Sequence, residues 1–400
     1  MKLVVIDPGF HWHSGHHFIV NQLIRAECLR RGIDWSLLAS YRVPKLAIEQ
    51  LQAQPLFRIS PYTALYRPIL PELSQAQLYM NGNSVTFEDL DAAKLSFDPG
   101  DAILVHTITA TQLAGIAAWH ARLPEPRPRI AVILRFPSDH RLPPEQKQLG
   151  HAQFVQALDI LSRTGGVLGA DSVSLAKLAG PHWPREVAVM PIPLAFDEPI
   201  AASGAPKTGY HLAYLGEARP EKGFELLPQA LSAALARHAD LRITIQCAGC
   251  PPDRFQPYRE SFGRISSRID MSNETLPVER YRELIASADG VLVAYDPAAY
   301  TYRTSHVFID ALAEGRPVIF TAGTWMANEV ERLCPAGAVC GVAMPDFTAE
   351  ALAQAIDALI ASRDRYAAGA AAAMPVVRAR HNRRAYLDAL FQLLGTTDHG

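Results

Sequence analysis

A chain of 400 residues exceeds one ordinary hydrophobic core, so two domains are expected. Apolar residues make up 49% and charged residues 20%, which excludes a disordered chain and describes a soluble globular protein. Lys plus Arg number 38 against 40 Asp plus Glu, a formal charge of -2, so there is no overall basic surface for nucleic acid.

In chain order, short β-rich apolar runs alternate with helical patterns, the signature of parallel sheets with crossover helices. Leu3 to Ile6 reads as a buried strand rather than a signal peptide, and it breaks at Asp7-Pro8-Gly9. Ser14 is placed to cap a helix in which Ile19, Leu23 and Ala26 recur on one face. Gly32, after Arg30 and Arg31, stops that helix. Further strands are predicted over Ile33 to Ala39, Ala102 to Val105 ending at His106, Ile130 to Leu134 ending at Arg135, and Val187 to Met190.

Residues 201–208, rich in Ala, Ser, Gly and Pro, predict an interdomain linker, with the boundary near residue 200. Beyond it, strands are predicted over Tyr210 to Leu215, Leu241 to Cys247, Gly290 to Ala294 and Pro317 to Thr321. Helices are predicted from about Phe224, over Tyr281 to Ala288 and over Ser305 to Glu314. The Ala-rich stretch Tyr366 to Met374 predicts a surface helix interrupted by Pro375, and a last amphipathic helix runs through Tyr386, Leu390 and Leu394. The expected architecture is α/β. Residues 1–200 and 201–375 form two Rossmann-like domains facing each other across a ligand-holding cleft, and 376–400 pack back on the first.

The five cysteines, Cys28, Cys247, Cys250, Cys334 and Cys340, are odd in number and irregular in spacing. Cys247 and Cys250 make one C-x-x-C without a second pair, so all five are expected as reduced thiols packed like small apolar groups. A cytoplasmic location is the corresponding expectation. No run of about 18 apolar residues occurs, so no transmembrane segment is expected, while peripheral membrane contact stays open.

Two segments carry chemistry. In Tyr214-Leu215-Gly216-Glu217-Ala218-Arg219-Pro220-Glu221-Lys222-Gly223, a strand ends and a helix opens. Gly216 lets backbone approach a phosphate, and Arg219 and Lys222 supply charge-assisted hydrogen bonds. Further on, Tyr302-Arg303-Thr304-Ser305-His306 precedes a helix. Thr304 or Ser305 can cap it, and Arg303 beside its N-terminus completes an anion site. Val307, Phe308, Ala311 and Leu312 form the buried face, while His306 and Asp310 share another. Taken singly, each segment also fits an ordinary solvated turn or helix.

In this order and spacing, the two segments resemble the donor-binding domain of retaining glycosyltransferases of the GT-B fold, glycosyltransferase family 4 especially. The likeness covers Tyr210 to about Ile360 well and the first 200 residues more loosely, and it rests on Glu221-Lys222-Gly223 and on Asp310-Ala311-Leu312-Ala313-Glu314-Gly315-Arg316-Pro317-Val318-Ile319. It implies that Gly216, Arg219 and Lys222 cradle the diphosphate of a nucleotide sugar. Arg303, Thr304, Ser305 and His306 add the helix N-terminus, and Asp310 holds the ribose. Three departures stand out. Glu217 occupies the place where the family has Arg directly after Gly, Asp310 replaces a Glu, and Tyr302 falls where the family has an earlier carboxylate, which Asp296 would have to replace. In the first half the resemblance implies a glycine turn at Gly15, an active-site His106 facing the transferred sugar, Arg135 where another His is common, and Asp171-Ser172 as a strand-to-helix turn.

The cluster His11, His13, His16 and His17 invites a metal reading, yet Asp7 alone among Cys and acidic residues lies near it, so no metal is expected. No other cofactor is expected either, since Arg, Lys and a helix dipole can neutralise a diphosphate. The expected activity is transfer of a sugar from a UDP or GDP sugar to an unidentified acceptor, a glycan, lipid-linked or small molecule. The resemblance implies that it is of the hexosyltransferase type, proceeds with retention, and has His106, Arg219 and Lys222 as catalytic residues. The alternatives are a non-catalytic nucleotide-sugar binding subunit, suggested by Tyr302, and a nucleotide-sugar epimerase or hydrolase on the same fold. A dinucleotide-dependent dehydrogenase is set aside, because His13-Ser14-Gly15-His16-His17 follows the first strand in place of G-x-G-x-x-G.

Overall fold

A computed structural model describes residues 1–12, 15–61, 75–140, 142–194, 200 and 209–395, and all that follows concerns these. His13, the expected cap Ser14 and the 201–208 linker lie outside them. The first sheet contains β1 (Lys2–Asp7), β2 (Asp34–Ser40), β3 (Ala53–Phe57), β4 (Ala102–Ile108), β5 (Arg129–Leu134), β6 (Val167–Ala170) and β7 (Ala188–Val189). Its order is β3-β2-β1-β4-β5-β6-β7, with every pairing parallel. The second sheet contains β8 (Tyr210–Gly216), β9 (Leu241–Cys247), β10 (Ile269–Ser272), β11 (Gly290–Val293), β12 (Val318–Thr321) and β13 (Gly341–Met344). These strands are also all parallel, in the order β10-β9-β8-β11-β12-β13.

Each sheet is doubly wound. The strand order reverses between β1 and β4 in the first and between β8 and β11 in the second, and such switch points are where open α/β sheets bind ligands at their carboxyl strand ends. Leu3, Val4, Val5 and Ile6 are buried without alternation because helices cover both faces of the sheet. Val4 and Ile6 join one core layer with Ile103, Val105 and Trp119. Leu3 and Val5 join the other, which includes Tyr386, Leu390 and Leu394 of the helix Arg383–Leu394. The chain divides into two compact units, Met1–Pro193 together with Arg383–Gly400, and Leu194–Asn382.

Two expectations are corrected. The Ala-rich segment is not a surface helix broken at Pro375: a single helix, Arg363–Arg380, runs through that proline. Gly369, Ala370, Ala373 and Val377 are buried on both sides of Pro375, so tertiary packing overrides the lost hydrogen bond. The five cysteines are not all reduced either. The helix Trp325–Leu333 ends at Cys334, β13 starts after Cys340, and the intervening turn brings the two Cα atoms to 6.4 Å with their sulfurs bonded. Cys28 and Cys247 remain free and buried, and burial pushes both thiols up to about 12, so they behave as small apolar groups.

Gly369 shows why the Ala-rich helix has its composition, since a Cβ there would run into the backbone of Val339. Gly369→Ala gains roughly 1 kcal/mol of helix propensity but overpacks this contact by about 1–3 kcal/mol. The net expectation is a lower thermal midpoint. A midpoint equal to or above that of the parent in a calorimetric scan would refute the close approach.

Candidate functional site

The second switch point is built on glycine. β8 ends at Gly216 with φ 114, and a Cβ there would lie 3.1 Å from the Lys222 Nζ. After the short 3-10 turn Pro220–Lys222, Gly223 has φ 74, and a Cβ on it would collide with the carbonyl oxygen of Ala294, just past β11. The Asp296 backbone N–H donates to the Glu221 carbonyl at 3.0 Å, so the turn after β8 and the loop after β11 lie side by side. Only glycine at position 223 permits that approach.

This packing gathers charge. Arg219 pairs with the Glu217 carboxylate and lies 3.3 Å from the Glu221 Oε1. Arg303 reaches the same Glu221 oxygen at 3.7 Å, and the Lys222 Nζ lies 3.9 Å from Glu217. Three cations thus surround two carboxylates. The Lys222 side chain is only 14% exposed, and burial, with Arg219 and Arg303 nearby, pulls its pKa down to about 7. The Arg303 guanidinium also stacks over the Tyr300 ring, 4.5 Å from its centre.

The helix His306–Ala313 begins beside this cluster in sequence. Ser305 is its cap rather than Thr304: the Ser305 Oγ accepts from the Phe308 N–H at 3.2 Å. Phe308, Ala311 and Leu312 are buried as expected, whereas Thr304, His306 and Val307 are half-buried. Asp310 is buried and accepts a hydrogen bond from the Tyr281 Oη at 3.1 Å. Burial pushes its pKa up to about 7; Tyr281 opposes this and the Glu314 charge adds to it. Glu314 is itself paired with Arg282, at 3.1 Å. Asp296 caps the short helix Pro297–Tyr300, its Oδ1 accepting from the Ala298 N–H at 2.9 Å. One of its carboxylate oxygens therefore serves the backbone, and the position of Tyr302 has no acidic side chain.

In the first unit, β1 ends at the fully buried Asp7. The His17 Nδ1 lies 2.9 Å from both Asp7 oxygens, and the Asn21 amide donates to the Oδ2 at 2.8 Å. His17 and Asn21, four residues apart on the helix Gly15–Arg30, share the face turned to Asp7. Burial raises the Asp7 carboxyl, but the charges of His17 and His106 and the bonds from His17 and Asn21 outweigh it and hold it below the ordinary range. His106 is 1% exposed, and burial brings its pKa down to about 4, so it is neutral at pH 7. Its tautomer follows from the partners. The Asn21 amide nitrogen faces Asp7, so its oxygen accepts from the His106 Nε2–H at 3.1 Å, and the Nδ1 accepts from the Thr107 hydroxyl at 2.9 Å. His106 is not at the strand end. β4 continues to Ile108, with Thr107 at φ 56 and a register shift against β5 at this point.

Arg135 pairs with Asp171 at 3.0 Å. With His106, Tyr386 and Met190 to Pro193, they line a cavity of about 20 Å³, room for a water molecule. Gly15 opens its helix at φ 78 with nothing near a Cβ, so conformation and not crowding selects glycine there. Among the described residues, no three His, Cys, Asp or Glu side chains group as a metal site, and no helix is long and apolar enough to cross a membrane. Sequence reasoning missed Asp7 and Asn21. The available signal was an acid ending a fully apolar strand, with His17 and Asn21 at helical spacing after it.

Residues 209–362 match the family model described as glycosyl transferases group 1, a span holding both the Gly216 turn and the Ser305-capped helix. Among solved structures, the chain is similar to sucrose-phosphate synthase from Thermosynechococcus elongatus, with 16% identity and a TM-score of 0.67 over 98% of both chains. Anabaena HepE in complex with UDP aligns at 14% identity and a TM-score of 0.66, over 99% of this chain and 100% of that one. A glycosyltransferase from Rickettsia africae aligns at 14% identity and a TM-score of 0.67, over 99% of each. The fold is GT-B. No curated protein sequence matches the chain.

The buried Asp310 of this GT-B chain gives its stability a pH signature. Its pKa is raised from 3.8 to about 7, so its contribution is full below pH 4 and is lost as the pH climbs towards 7 and the unfolded chain ionises first. Asp310→Asn, which keeps an acceptor for Tyr281 but cannot ionise, should therefore gain thermal stability relative to the parent between pH 5 and pH 8. A difference in midpoint that stays constant across that range would overturn the assignment.

Proposed function

We propose that the chain transfers a sugar from a nucleotide-diphosphate sugar to an acceptor with retention of configuration, as a hexosyltransferase of family 4 type. The observation that carries this reading is the convergence of Arg219, Lys222 and Arg303 beside Gly216 at the second switch point. A departing nucleoside diphosphate develops negative charge, and cations already assembled and partly desolvated stabilise it without reorganising at the moment of reaction. Lys222 is a proton acceptor near neutrality until an anion arrives, which then favours its charged form. The N-terminus of the helix at Ser305, with Thr304 and His306, adds dipole to the same charge. Asp310 would bind the ribose through the oxygen that Tyr281 does not use. These side chains supply the positive charge, so neither a metal nor another cofactor is part of the mechanism proposed.

In the first unit, His106 is kept as the residue expected to face the transferred sugar, but with both ring nitrogens engaged it would act by fixing the polar cluster around Asp7, not as a general base. The acceptor is assigned to this unit and the donor to the second. HepE is described in complex with UDP, which makes UDP the first ligand to try. Thermal shift with UDP, GDP and ADP should show stabilisation by one of them, and silence across the three would reject the donor reading. Lys222→Ala should lower turnover by roughly 10²–10³, and full turnover at saturating donor would remove Lys222 from the mechanism. Activity should survive a chelator that leaves folding intact, and NMR of the product should show the anomer of the donor.

A second reading rests on Tyr302 and on Asp296, which is engaged as a helix cap. A site that lacks that carboxylate can bind a nucleotide sugar without turning it over. Binding of the diphosphate without consumption of its sugar conjugates, across glycan, lipid-linked and small-molecule acceptors, would favour this binding subunit.

A further inference from the structure

Glu217 stands out among the residues of the cation cluster. Its backbone is anchored, with the carbonyl accepting from the Arg219 N–H at 2.9 Å and from the Tyr214 Oη at 3.2 Å. Its side chain is 52% exposed, and its Oε2 pairs with Arg219 and lies 3.9 Å from the Lys222 Nζ. Glu221, by contrast, is 29% exposed and bridges Arg219 and Arg303. Each carboxylate touches two cations, but they differ in exposure: Glu221 sits deeper, between Arg219 and Arg303, whereas Glu217 touches Arg219 and Lys222 from the solvent side.

We propose that Glu217 is an internal counter-anion, which holds Arg219 and Lys222 until the donor diphosphate displaces it and returns to them when the nucleoside diphosphate leaves. This rests on the reading of the cluster as a diphosphate site. An anion cannot share these cations with a second anion at the same distance without repulsion, so ligand entry exchanges carboxylate for phosphate. The exposed side chain on an anchored backbone can swing aside without disturbing the Gly216 turn. Ligands that do not reach the cations leave Glu217 in place and gain nothing from its removal. Glu217 thus sets how strongly the site prefers diphosphates to the bare nucleoside. It also speeds release of the spent diphosphate.

The test compares the parent, Glu217→Gln and Lys222→Ala by titration calorimetry with UDP, GDP, uridine and guanosine, at about 50 and 300 mM salt. Exposed ion pairs of this kind correspond to roughly two- to fivefold in affinity, so Glu217→Gln should bind the preferred diphosphate that much more tightly and the matching nucleoside unchanged. The salt dependence should steepen, because the variant cluster keeps three cations against one carboxylate, and a merely structural role for Glu217 would not move it. In turnover, the donor KM should fall while kcat stays level or drops with slower release. If Lys222→Ala loses binding but Glu217→Gln binds no more tightly than the parent, the counter-anion role is overturned and the donor site stands. Indifference of binding to both substitutions, or no binding by any of the three chains, would overturn the donor site and the counter-anion role together.

Discussion

The second switch point depends on one steric fact, the absence of a side chain at position 223. The Gly223 Cα lies so close to the Ala294 carbonyl that no other residue fits, and its φ of 74 is one that residues with a Cβ rarely adopt. From that contact the rest follows in order. The turn after β8 lies against the loop after β11, the Asp296 N–H meets the Glu221 carbonyl, and Glu221 comes within reach of Arg303 as well as Arg219. Lys222, the residue just before the glycine, is thereby carried inward, where water is scarce and two guanidinium groups are near. Its lowered pKa is a consequence of backbone packing as much as of charge.

Such a cluster is in tension with stability. Gathering cations in a partly desolvated place is unfavourable in the absence of an anion, and the two carboxylates offset only part of it. Lys222 relieves part of the remainder, because its proton comes off near neutrality. In the proposed reaction, that destabilisation is the property that would draw a diphosphate to the place, because such a ligand would restore both the missing negative charge and the proton.

Much of this was legible in the sequence, for identifiable reasons. Parallel strands covered on both faces are apolar nearly throughout, so Leu3 to Ile6 and, His211 apart, Tyr210 to Leu215 were readable as strands without alternation. The Gly216 and Gly223 spacing, with Arg219 and Lys222 between, also fits an ordinary solvated turn, and it became readable as a candidate anion site only together with the Ser305 segment and the family resemblance. What was not legible depends on contacts distant in sequence. The continuity of the helix through Pro375 is decided by burial of Gly369, Ala370, Ala373 and Val377, while local rules see only a proline. The pairing of Cys334 with Cys340 depends on where a helix ends and β13 begins, which their spacing alone does not reveal. His106 looked like a strand terminus because the run Ala102 to Val105 stops being aliphatic there, yet the strand continues through a distorted Thr107.

The two switch points share a topology and use opposite electrostatics. In the second unit, cations meet at the strand ends, with carboxylates held beside them. In the first, a single buried carboxylate, Asp7, sits at the end of β1 among His17, Asn21 and the neutral His106. A buried carboxylate without partners would be protonated; this one is kept ionised because His17 and Asn21 donate directly to it and His106 orients Asn21. Such a network loses its satisfaction as a unit, since taking away any one donor leaves buried polar atoms without partners. Its rigidity has a use in the proposed reaction. The histidine-bearing start of the helix Gly15–Arg30 is pinned to β1 by Asp7, so the groups that would meet an acceptor are placed by the sheet rather than by a loop.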